Sequence, residues 1–158
     1  MDQNKEFVCQ ARVERTLKAL AKNRIPAVYV PNREEAVKTV ESMLRPGDVV
    51  TCGGSMTLAE TGVMDLLKSG AYEFLDRQTM DQEEVYRKTF GADVFLMSAN
   101  AITEDGELYN VDGNGNRVAA LIFGPKRVIV VAGVNKLVRN LDEAIAREAL
   151  RLAANKLP

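Results

Sequence analysis

Histidine is absent from this 158-residue chain. Without it there is no Ser-His or Cys-His nucleophile, and the commonest transition-metal ligand is missing, so acid–base chemistry must use carboxylates, lysine or a thiol. Cysteine is scarce: Cys9 and Cys52 lie far apart and offer neither a disulfide framework nor metal-ligand spacing. No apolar run approaches the roughly 20 residues that a bilayer crossing needs. Neither sign of charge dominates; a formal net charge of −1 leaves no bulk basic field to hold nucleic acid. No G-x-G-x-x-G follows a strand and no Walker A lysine is in place, so neither a bound cofactor nor a metal is expected. The first twenty residues, MDQNKEFVCQARVERTLKAL, are charged and amphipathic rather than signal-like, and the sequence reads as cytoplasmic.

What remains is an ordinary globular composition, 46% apolar and 27% charged, in a length that suits one domain with a real core. Helical and strand patterns alternate along it. Cys9, Val13, Leu17 and Leu20 make one stripe of a first helix. IPAVYV (25–30) reads as a β-rich run, and Asn32 with Glu35 reads as a cap for a helix carrying Val37, Val40 and Leu44. VVTC (49–52), YEFL (72–75), DVFLMSA (93–99), ELYNV (107–111) and RVIVVAG (127–133) read as strands. Helices are expected over about 56–69, over 81–90 behind an Asp81/Glu84 cap, over 116–123, and at the end with Leu141, Ile145, Ala149 and Leu152 on one stripe. Continuous apolar strands alternating with helices imply one α/β domain of three layers, a mostly parallel sheet with helices on both faces.

In such sheets ligands bind beyond the carboxyl ends of the strands. Polar clusters fall at those turns. In TCGGSMTLAE (51–60), Gly53 and Gly54 let the backbone approach a ligand, while Ser55 and Thr57 either bind an anion or cap the following helix. Cys52 is either an activated thiol or a small buried residue, and Cys9 reads as core. SANAITEDGELYN (98–110) presents Asn100, Glu104 and Asn110; its EDGE also makes a good turn around Asp105 and Gly106. DGNGNRVAA (112–120) offers Gly113 and Gly115 for close backbone approach, Asn116, and the guanidinium fork of Arg117, which either grips a carboxylate or phosphate or pairs with Asp112. GVNK (133–136) adds Asn135 and Lys136 after a strand.

CGGSMTLAETG together with SANAITEDGELYNVDGNGNRVAALIFGPKRVIVVAGVNK resembles the LUD domain of the lactate-utilisation protein family, its stand-alone C-type member in particular, from the first helix to AANKLP. On this resemblance residues 1–158 are one LUD domain. It implies the fold shared by ribose-5-phosphate isomerase, glucosamine-6-phosphate deaminase and the CoA transferases. It also implies a part in bacterial oxidation of L-lactate to pyruvate, beside two iron–sulfur partner proteins. No established catalytic residue set comes with it. Many relatives continue into a cysteine-bearing tail past the position of Pro158, so cluster binding is not expected of these residues. Asn100 stands where the sugar-phosphate isomerases of this fold carry a catalytic aspartate, and Asn110-Val111-Asp112 stands where the ribose-phosphate type carries a lysine.

Three readings follow. The first is a subunit binding a small carboxylate or phosphate in a lactate-oxidising system. The second is a stand-alone isomerase- or transferase-like enzyme with Cys52 and either Asp112 or Glu104 as its acid–base pair. The third is a scaffold, which the concentration of small polar groups argues against. The first is favoured.

Overall fold

The computed structural model describes residues 3–154. Its helices are α1 (Gln3–Lys22), α2 (Arg33–Met43), α3 (Met56–Glu60), α4 (Val63–Leu67), α5 (Gln82–Thr89), α6 (Asn116–Phe123) and α7 (Leu141–Ala154). Its strands are β1 (Val49–Cys52), β2 (Glu73–Leu75), β3 (Val94–Met97), β4 (Ala101–Thr103), β5 (Leu108–Tyr109), β6 (Arg127–Val130) and β7 (Leu137–Val138). They divide into two compact units. One comprises Val30–Ser98 and Asp112–Val131; the other draws on the chain through Tyr29, on Ala99–Val111 and on the segment from Ala132 onward. The closing NKLP of the resemblance lies outside the described residues.

The first unit is built on a wholly parallel sheet in the order β2-β1-β3-β6. Alternation along β3 sends Val94 and Leu96 to one face, where they pack with Val50, with Val40 and Leu44, and with Leu58, Val63 and Leu67 of α3 and α4. Phe95 and Met97 point to the other face and pack with Ala120 of α6. All four residues of β3 are buried, which is why it reads as a continuous apolar run. The protein is thus α/β with a parallel sheet covered on both faces, as its sequence indicates. Asn32 caps α2 by accepting from Glu35 N at 2.8 Å, and Asp81 caps α5 by accepting from Glu84 N at 2.9 Å.

Two expectations change here. The helix expected over 56–69 is two short ones, because Gly62 adopts φ +85° and ends the first run before its carbonyl starts the second. IPAVYV forms no strand; Val28 and Tyr29 are exposed, and β propensity without a neighbouring edge to pair with gives only extended chain.

The second unit holds a small sheet in the order β5-β4-β7, with β4 antiparallel to β5 and parallel to β7. The EDGE turn joins β4 to β5, with Gly106 at φ +81°, and Asn23 near the end of α1 donates to the carbonyls of Asp105 and Gly106 at 3.0 and 2.9 Å. The stripe on α7 is a correction: Leu141, Ile145 and Leu152 are exposed, whereas Ala144 and Glu148 are buried. Glu148, 3% exposed, accepts from Asn100 Nδ2 at 2.8 Å and is paired with Arg151.

The Arg151 hydrogen bond holds the Glu148 carboxyl below the ordinary glutamate value against the opposing effect of burial, with Asn100 assisting. A carboxylate whose folded pKa is depressed contributes stability that is complete above its unfolded pKa and is lost as pH falls through the folded value. Wild type is therefore expected to exceed Glu148→Gln in stability at neutral pH, with the gap closing on acidification below about pH 4.3, the ordinary glutamate value. Denaturant melts from pH 7 to pH 3 test it; parallel curves would remove Glu148 from the acid response.

Candidate functional site

A cavity of about 220 Å³ opens in the first unit among the residues that follow β1 and β2 and those that begin α6. Gly53 and Gly54 form its floor directly after β1. Asp112, Asn116 and Arg117 enter from the DGNGNR segment, and Arg77 enters from the turn after β2. Val85, Tyr86 and Phe90 of the α5 region, with Phe95 of β3 and Ala120 of α6, supply an apolar wall.

Arg117 and Asp112 act together. Arg117 Nε donates to Asp112 Oδ1 at 2.8 Å, and Arg117 Nη1 donates to the Ser98 carbonyl at 2.9 Å. The other Asp112 oxygen accepts from Val118 N at 2.7 Å. Gly115, at φ +72°, is the N-cap of α6 and has no side chain to cap with, so Asp112 takes that role from three residues earlier. Of the alternatives weighed for Arg117, the pairing with Asp112 is the one that forms, and the paired side chain borders the cavity.

Arg77 differs in kind. It makes no hydrogen bond or ion pair to any described residue, yet it is only half-exposed and its guanidinium lies against Gly54. A Cβ built on Gly54 would sit 2.6 Å from Arg77 Nη2, so glycine there leaves room for the guanidinium beside the main chain. Asp76 fixes the turn that presents it, accepting from Gln78 N at 2.9 Å and pairing with Lys68 at 3.2 Å. Sequence reading passed over Arg77 because LDRQT carries no glycine or asparagine; the usable cue was its place immediately after a strand.

The remaining candidates sort as follows. Ser55 is the N-cap of α3, accepting from Leu58 N at 3.3 Å, and the Thr57 carbonyl accepts from the Thr61 hydroxyl at 2.7 Å. Helix α3 is five residues long, too short for the N-terminal anion site considered for this stretch. Gly113 is exposed with open space around it. Cys52 borders the cavity, but burial pushes its thiol up to about 11, with only partial relief from Arg77, and its sulfur lies 3.8 Å from that of Met64. At neutral pH it is a thiol, not the activated thiolate considered from its position.

Asn100, Glu104, Asn110, Asn135 and Lys136 belong to the second unit. Asn100 Oδ1 accepts from Val111 N at 3.2 Å while its amide serves Glu148. Glu104 is gripped by Arg12 and Arg15, each at 2.7 Å; burial raises its carboxyl, and the two guanidinium groups more than reverse this to leave it low. Such a carboxylate is a poor proton acceptor. Asn110 Nδ2 donates to the Leu108 carbonyl at 3.4 Å, and Asn135 and Lys136 sit in a 3-10 turn, Val134–Lys136. Among the described residues no group of three His, Cys, Asp or Glu is placed to hold a metal, and no helix is long and apolar enough to cross a membrane.

The LUD domain family model matches residues 13–157, nearly the whole chain and both segments that build the cavity. The chain belongs to the LUD domain family. This domain is found in lactate-utilisation proteins. A comparison with curated proteins gives no match. For this LUD domain the DGNGNR segment has a defined structural role: it brings the Asp112–Arg117 pair to the mouth of the parallel sheet, where the glycine pair after β1 and Arg77 after β2 also arrive.

Proposed function

We propose that this LUD-domain protein is the anionic small-molecule-binding subunit of a system that oxidises L-lactate to pyruvate with iron–sulfur partner proteins. The observation that carries the reading is Arg77, a cavity guanidinium unmatched by any described carboxylate, lying on a glycine floor beside Arg117. The Arg77 nitrogens reach solvent rather than being sealed off, and an anionic ligand replaces water there with a charge-assisted, often bidentate, bond. Family membership supports the lactate-utilisation setting. Cys9 and Cys52 lie in different units and neither joins a ligand cluster among the described residues, so the iron–sulfur centres are assigned to the partners.

The stand-alone enzyme reading keeps one favourable fact, that Cys52 and Asp112 border the same cavity. Against it, the thiol is protonated and both Asp112 oxygens are occupied.

Calorimetric titration with lactate, pyruvate and inorganic phosphate, on wild type and Arg77→Ala, tests the proposal. Removal of Arg77 is expected to weaken the best anion by about 1.5–3 kcal/mol, the range for hydrogen bonds to a charged group. The melting temperature without ligand should hold, since Arg77 supports no described residue. Gly54→Ala should weaken binding in the same direction by displacing the guanidinium. Anion binding that survives Arg77→Ala unchanged refutes the proposal.

A further inference from the structure

Resting on the anion-site reading above, we infer that the ligand is a monocarboxylate with an apolar body larger than a methyl group, rather than a phosphorylated compound. The charged groups bordering the cavity are Arg77, Arg117 and Asp112. Asp112 lies 2.8 Å from Arg117 and compensates it, which leaves Arg77 without a counter-charge among the described residues. A carboxylate carries one negative charge and matches that deficit. A phosphate monoester carries about −1.5 to −2 at neutral pH; its excess would face the Asp112 carboxylate with no cation left to answer it.

The apolar lining gives the second half of the inference. Tyr86 and Phe90, one helical turn apart in the α5 region, border the same cavity as Phe95 of β3 and the Arg77 guanidinium. Aromatic side chains reward an apolar or planar group. Size fits as well. An apolar cavity of roughly 150 Å³ holds a benzene molecule, so about 220 Å³ takes a ring or branched alkyl group together with a carboxylate. Lactate and pyruvate, with one methyl each, would leave this wall largely uncovered.

The test is a calorimetric series of phenylpyruvate, 4-methyl-2-oxopentanoate, pyruvate, inorganic phosphate and glucose 6-phosphate against wild type, Arg77→Ala, Phe90→Ala and Tyr86→Leu. Phenylpyruvate is expected to bind wild type at least about tenfold more tightly than pyruvate, the low end of what one extra methylene earns in an apolar pocket, and both phosphates more weakly than phenylpyruvate. Phe90 is 46% exposed, so its replacement is compatible with folding. Phe90→Ala, and independently Tyr86→Leu, should narrow the phenylpyruvate-to-pyruvate ratio to under about threefold, since each removes part of the wall that makes the discrimination. A phosphate that outbinds phenylpyruvate and depends on Arg77 overturns the monocarboxylate and leaves the anion site standing. A ratio near one in wild type, or one that neither wall variant changes, overturns the apolar body. Phenylpyruvate binding that ignores Arg77, or no binding by any probe, overturns this inference and the anion site together.

Discussion

Gly106→Ala should be among the most damaging single methyl groups that can be added to this protein, with a loss of about 3–5 kcal/mol. Two effects combine. Gly106 adopts φ +81°, a region that disfavours any residue with a Cβ. The added carbon would also sit 2.5 Å from the carbonyl carbon of Ala19 and 2.7 Å from the nitrogen of Leu20. Those atoms are main chain near the end of α1, so no side-chain rotation relieves the overlap. The turn would have to withdraw from α1, giving up the two bonds that Asn23 donates to it. For a chain of this size the loss corresponds to a fall in melting temperature of roughly 6–20 °C. Gly113→Ala is the control: Gly113 has open space where a Cβ would go, and its melting temperature should stay within a degree or two of wild type, about the spread of a neutral surface change. Equal melting curves for Gly106→Ala and wild type would remove the close approach.

The second large effect is expected from Asp112→Ala. It removes the partner of Arg117, whose side chain is 15% exposed, and the acceptor of the Val118 amide in the first turn of α6. A charged hydrogen bond and a helix cap together account for about 2–4 kcal/mol. Asp112→Asn separates the possible roles. Its amide oxygen still accepts one bond and it cannot act as an acid or base, so a structural Asp112 predicts intermediate stability and retained ligand binding. A variant of wild-type stability that has lost only turnover would instead establish Asp112 as an acid–base residue. The contrast with Arg77 is a further check, since Arg77→Ala should lower affinity and spare stability, whereas Asp112→Ala should lower stability first.

What could be read from the sequence was what is decided locally. The caps at Asn32 and Asp81 are bonds across three residues, and both form. Strand β3 was legible because a strand buried on both faces must be apolar throughout. The turn at Asp105-Gly106 was legible for the same reason, as a local demand on φ. The glycine pair at 53–54 was recognisable because it directly follows β1, a place fixed before any contact is known.

Tertiary structure decided the rest. Periodicity showed that α7 has an apolar stripe but could not say what covers it; Leu141 and Ile145 stay exposed while the buried position goes to Glu148, whose charge is acceptable only because Arg151 and Asn100 meet it there. IPAVYV had the composition of a strand but no edge to join, and β4, where no strand was expected, forms because β5 and β7 pair with it. Glu104 looked like a free carboxylate until Arg12 and Arg15, some ninety residues earlier, closed on it. Arg77 is the clearest case. Nothing in LDRQT marks it, and its significance depends on two facts of packing: the missing Cβ of Gly54, and the lack of any described acceptor for its guanidinium. Local bonds and burial periodicity are written in neighbouring residues, whereas the pairing of charges across the fold exists only once the chain has closed.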